Sequence, residues 1–177
     1  MNKTKRKIFE TSLKLFSEKG YDATSIEEIT ATVGVAKGTL YYHFSSKEEI
    51  FNFLIDEGMK LLINSIEIKI SKCDNTLDKI KAVSLVQLKA VHKYENLLTI
   101  VMSQTWGNEN INVFCKEKVL EYISVIQKIV QEGVNNGDIV ECDAEVLASE
   151  IFSLTCSTLI LSLIHISEPT RQAEISY

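Results

Sequence analysis

Residues 34–50 read GVAKGTLYYHFSSKEEI, which sets Lys37, Tyr41, Tyr42 and His43 close together and places Lys47 just beyond them. The chemistry these side chains share is hydrogen-bond donation to anionic oxygen. The Lys37 ammonium can reach a guanine edge or a phosphate, and the hydroxyls of Tyr41 and Tyr42, with His43, can donate to phosphate oxygens. Gly38 lets a backbone approach a groove closely, and Thr39 adds a hydroxyl beside it. Lys47 brings a cation to the first turn of a following helix, where backbone N–H groups already favour an anion. The competing reading of Tyr41 and Tyr42 is ordinary packing between two helices, and residue type alone leaves both open.

Other chemistries find less support. Cys73, Cys115, Cys142 and Cys156 form no CxxC pair and have no histidine at ligand spacing, so reduced, idle thiols are expected and no metal or cofactor is implied. No Ser/His/Asp set or carboxylate pair is recognisable, which argues against an enzyme.

The elements that must position the 34–50 stretch follow from periodicity and caps. A first helix is predicted over about 3–19, with Phe9, Leu13 and Phe16 on one stripe, and Gly20 ends it. A second short helix starts at Thr24 or Ser25, with Glu27 or Glu28 completing a capping box, buries Ile26, Ile29 and Val33, and stops at Gly34. The third begins almost at once, so the pair reads as a helix-turn-helix. Within it Leu40 and Phe44 point into the small core, leaving Gly38 and Tyr42 on the opposite face, flanked by Thr39 and Tyr41. Ser46 and Glu49 open a fourth helix to about Ile70, and long helices follow over about 76–93, 95–106, 110–135 and from 143 onward, with Gly137 as the clearest break.

Composition agrees with an all-α globular protein: seven glycines, one proline and 45% hydrophobic residues in 177. The net charge of −5 argues against a nucleic-acid partner until its distribution is considered. MNKTKRK concentrates four bases ahead of the first acid, so a basic footprint sits on an acidic body. Without an uninterrupted apolar N-terminal region there is no signal peptide, and the cytoplasm is the expected location.

Residues 6–55, above all LFSEKGYDATSIEEIT, GVAKGTLYYHF and SKEEI, resemble the DNA-binding domain of the TetR (tetracycline repressor) family of bacterial transcriptional regulators. The resemblance implies that Lys37 and Gly38 touch bases, that Thr39 lies beside them, and that Tyr41, Tyr42, His43 and Lys47 bind phosphate. Thr24 and Ser25 match a helix start that also meets the DNA backbone. Ala36 departs from the serine many relatives carry, so the third helix lacks a side-chain cap, a loss typically worth ~1 kcal/mol.

The same resemblance implies a helical regulatory body with a ligand cavity, a homodimer interface built from its last two helices, and release of an operator when a small molecule binds. A DNA-binding scaffold that recruits a protein partner without an effector is the alternative. For the cavity, His92, Trp106, Phe114 and Tyr122 are the only guides, and nothing names the ligand. The apolar run over 151–166 is short for a membrane span.

LSLIHISEPTR, residues 161–171, resembles the translation of a sequencing-library adapter, and QAE and ISY fit the index and primer that follow. The expected organisation is therefore a DNA-binding domain over 1–47, a ligand-binding and dimerisation domain over 48–160, truncated at its C-terminus, and a non-native tail over 161–177.

Overall fold

The computed structural model describes residues 2–104 and 110–166, so Trp106 and most of the adapter-like tail lie outside the described residues. Those residues form eight helices and no strand: α1 (Lys3–Lys19), α2 (Ile26–Val33), α3 (Lys37–His43), α4 (Lys47–Ile70), α5 (Thr76–Lys93), α6 (Glu95–Ser103), α7 (Asn110–Asn136) and α8 (Ala144–Ile166). No helix among them is long and apolar enough to cross a membrane. The chain divides into two compact units, Met1–Asn64 with Asn96–Tyr122, and Ser65–Glu95 with Ile123–Tyr177; the divisions fall within α4, at the start of α6 and within α7.

In the first unit α1 packs on α2 and α2 on α3. Asn2 caps α1, its side chain accepting from the Lys5 N–H at 2.8 Å. The buried stripe of α1 is Ile8, Ser12, Leu15 and Phe16, turned by about one residue from the expected Phe9–Leu13–Phe16 line. Phe9 instead meets the edge of Phe53, with ring centroids 6.0 Å apart. The helix can turn this way because Ser12 is small enough to sit in the core, although its hydroxyl there has no hydrogen-bond partner among the described residues. α2 likewise buries Ile29 with Thr30, whose hydroxyl donates to the Glu27 carbonyl, while Ile26 and Val33 are half-buried.

Leu40 of α3 and Phe44, which follows its last turn, are both buried, as are Phe16 and Phe51 of the neighbouring helices. Aromatic edges lock this core: Phe16 and Phe51 meet at 6.0 Å, Phe44 and Phe53 at 5.5 Å. Further along the same unit Asp56 of α4 accepts from Lys118 of α7 at 3.0 Å and from Lys60 at 2.5 Å.

In the second unit α5 packs on α8, and the Thr155 hydroxyl donates to the Gln87 side chain at 3.1 Å within the buried contact. Asp138 accepts from the Thr76 hydroxyl at 2.7 Å, tying the start of α5 to the turn after α7. Gly133 lies in that corner, where a Cβ would come within 2.4 Å of the Thr76 methyl.

Candidate nucleic-acid interface

Three local features present α3. Gly34 takes the left-handed conformation (φ 77°, ψ 39°), which ends α2 and turns the chain into α3 within three residues. Ser25 is the N-cap of α2, its hydroxyl oxygen accepting from the Glu28 N–H at 3.1 Å. Ala36 precedes α3 with no side-chain cap, as its residue type dictates. At the start of α4 Ser46 accepts from the Glu49 N–H at 3.0 Å, while the Glu49 carboxylate reaches the N–H and hydroxyl of Ser45 at 2.6 and 2.5 Å. These bonds hold the Glu49 carboxyl below the usual range.

The outward face of α3 carries the expected set. Lys37, Gly38, Thr39, Tyr41 and Tyr42 are exposed and His43 half-buried; Tyr42 is 83% exposed. The Tyr42 and His43 rings touch edge to face at 5.1 Å. So large an aromatic surface left in water has no packing role inside this chain, which removes the plain-core reading for Tyr42. Gly38 is equally free of internal cause: a Cβ there would meet nothing within 4 Å, and its backbone is not one that only glycine adopts. Ser25 is exposed, its hydroxyl hydrogen still available to an external acceptor.

Two of the expected residues have partners inside the fold. Thr24 is 1% exposed, and its hydroxyl donates to the Gly20 carbonyl at 2.8 Å and the Leu15 carbonyl at 3.3 Å. It closes the α1–α2 connection from within and offers nothing to a phosphate. The Lys47 ammonium donates to the Tyr21 carbonyl at 2.8 Å and the Thr24 carbonyl at 3.0 Å, with the Asp22 carbonyl at 3.5 Å, and lies 4.2 Å from the Tyr21 ring centroid. It thereby pins the α1–α2 turn to α4.

Glu27, in the sequence only a candidate for the capping box, has a further role. Its carboxylate accepts from Lys37 at 2.5 Å, and each group favours the other's charge: the lysine's pKa is raised and the glutamate's lowered, chiefly by this hydrogen bond. The neighbouring Glu28 turns to Lys19. Lys5 was read only as bulk charge, yet its ammonium stacks 4.8 Å from the Phe44 ring and 4.4 Å from the Phe53 ring. No local spacing signals this stacking, because both rings come from residues far along the chain.

Of the four cavity candidates, Trp106 and the side chain of His92 lie outside the described residues. Phe114 and Tyr122 both belong to α7; Tyr122 is buried, and Phe114 is half-buried with the Lys118 ammonium 5.7 Å from its ring. The described residues therefore bring two of the four onto one helix. Burial pushes the Cys115 thiol up to about 11, so it is an unreactive core residue. Among the described residues no group of His, Cys, Asp or Glu could hold a metal ion.

Residues 8–53 match the family described as "Bacterial regulatory proteins, tetR family". The biofilm operon icaADBC negative transcriptional regulator IcaR of Staphylococcus epidermidis is 45% identical over 60 residues, 29% of this chain; the chain spans about a third (32%) of that relative's length. A solved Clostridium perfringens protein assigned as a fatty acid metabolism regulator is 34% identical with a TM-score of 0.85, over 90% of this chain and 86% of that one. The transcriptional regulator FadR of Bacillus subtilis, solved in complex with stearoyl-CoA, shares the fold at 23% identity and a TM-score of 0.83, over 92% of this chain and 89% of its own.

Proposed function

This chain belongs to the tetR family of bacterial regulatory proteins, and we propose that it is a homodimeric repressor released from its operator by a small molecule. Ser25, Lys37, Gly38, Thr39, Tyr41, Tyr42 and His43 are the side of it that meets DNA. Lys37 and Thr39 face base edges, Gly38 admits the backbone to the major groove, and the aromatic hydroxyls, His43 and Ser25 donate to phosphates. The observation that carries this reading is Gly38, a helical glycine with empty space around it and no conformational need of its own.

Two such helices must lie about 34–36 Å apart to enter successive major grooves. The second copy is supported by α8, where Leu154 is 71% and Val146 54% exposed, apolar surface that a partner subunit would cover. An effector that binds better to a different helix separation lowers the population that fits DNA, by as much as its affinity differs between the two states. A fatty acyl-CoA is the effector class we favour, because the 34%-identical Clostridium protein is assigned to fatty acid metabolism. Phe114 and Tyr122 are the described residues we place nearest its acyl chain.

The test is an anisotropy titration of the protein on the DNA upstream of its own gene and on a shuffled duplex, followed by addition of stearoyl-CoA or free CoA. Tight binding to the upstream duplex alone, reversed by stearoyl-CoA and not by CoA, is the expected result. Equal binding to both duplexes contradicts the operator assignment. Specific binding indifferent to stearoyl-CoA contradicts the effector and moves a protein partner forward, for which exposed Leu77, Leu85 and Leu88 along one side of α5 offer a surface.

A further inference from the structure

Glu27 puts a carboxylate on the face proposed to meet DNA. It and Lys37 are 67% and 54% exposed, so their ion pair adds little to the stability of the fold. Nor is the lysine held by much else, since its other neighbour is the Tyr41 ring at 5.9 Å. A fold that gains little from the pair nevertheless neutralises the cation best placed to read a base. The carboxylate also repels phosphates whatever the sequence.

In a sequence-independent encounter, affinity comes from cations neutralising phosphates. There Lys37, already matched by Glu27, contributes less than a free cation would. At a G·C pair the balance changes, because guanine O6 and N7 accept from lysine while the cytosine N4 amino group donates to a carboxylate, all in the same groove. Lysine and glutamate can then each exchange the other for a base edge, and neither is left unpaired.

We propose that Glu27 is a specificity-determining residue that withholds Lys37 from phosphates and releases it where a G·C pair supplies partners for both side chains. This rests on α3 being the DNA-reading helix, and it adds that Glu27 on α2 weakens binding to wrong sequences more than to the right one.

The experiment titrates wild type, Glu27→Gln, Lys37→Met and the double variant on a mixed-sequence duplex at several salt concentrations, with a thermal melt of each. Glu27→Gln is expected to bind this duplex about 3- to 10-fold more tightly at low salt, with a log–log salt slope steeper by about 0.9, the increment of one added phosphate contact. Lys37→Met should remove most of that gain, leaving only the smaller part that comes from relieved repulsion, and the melts should barely move. A wild type that binds DNA while Glu27→Gln binds no better overturns the inference alone, as does a gain that survives undiminished in the Lys37→Met background. A wild type that binds neither this duplex nor its upstream DNA at low salt overturns the DNA-binding reading and this inference together.

Discussion

α3 and the end of α7 each hold a glycine inside a helix, a position where glycine costs roughly 0.5–1 kcal/mol relative to alanine. At Gly133 the fold itself requires it: a Cβ would lie 2.4 Å from Thr76 Cγ2 and 2.8 Å from Ile139 Cδ1. At Gly38 a Cβ would meet nothing beyond its own stretch of helix within 4 Å, so the same residue type has no internal justification. The two lysines of the opening stretch differ in the same way. Lys47 has its ammonium committed to the carbonyls of the α1–α2 turn, whereas Lys37 is exposed and held by a single carboxylate. Residues that the fold explains and residues that only a partner explains can thus be separated by their surroundings, even when residue type and spacing make them look alike.

Substituting Lys47 should have the largest effect and tests that separation directly. Lys47→Met keeps the stem and deletes the donor to the Tyr21 and Thr24 carbonyls, for a loss of about 1.5–3 kcal/mol. A thermal melt should fall by on the order of 5 °C. An unchanged melt with weaker DNA binding would return Lys47 to the phosphate ligands. Gly133→Ala comes next: overpacking costs about 1–3 kcal/mol, partly offset by alanine's helix propensity. Thr76 is a stiff β-branched residue anchored by Asp138, so it cannot turn away freely. Thr76→Ser in the same background removes the clashing methyl and should recover part of the loss in a denaturant titration.

The smallest effect concerns Asp56, whose carboxyl is held below the usual range, first by Lys60 and then by Lys118. A depressed folded pKa stabilises fully above the unfolded value of about 3.9 and less as pH falls through the folded value. Asp56→Asn should therefore melt slightly below wild type at pH 6, with the gap narrowing as pH falls below about 4. A gap that does not narrow with falling pH would mean that shape, not charge, makes the α4–α7 contact.

Much of the helical order was legible in the sequence, because caps and breakers act locally: Ser25, Gly34, Ser46 with Glu49, and Gly137 end or begin helices where their chemistry requires it. The face of α1 was read one residue off because a buried serine, Ser12, interrupts the apolar stripe that periodicity detects. The internal partners of Thr24 and Lys47 were hidden for a different reason. Their partners are backbone carbonyls, which every residue carries and no residue type advertises. Glu27 escaped because the pair it forms bridges two helices across a turn, a spacing set by tertiary geometry.

The central claim is that Gly38 is there for DNA and not for the fold. Its most direct test is the titration of Gly38→Ala beside wild type on the duplex upstream of the gene, with both proteins melted under the same conditions. We expect affinity to fall by about tenfold or more, ~1.4 kcal/mol, while the melting temperature stays level or rises, because alanine is the better helix former. Undiminished affinity, or a fall in affinity matched by a fall in melting temperature, would contradict the claim.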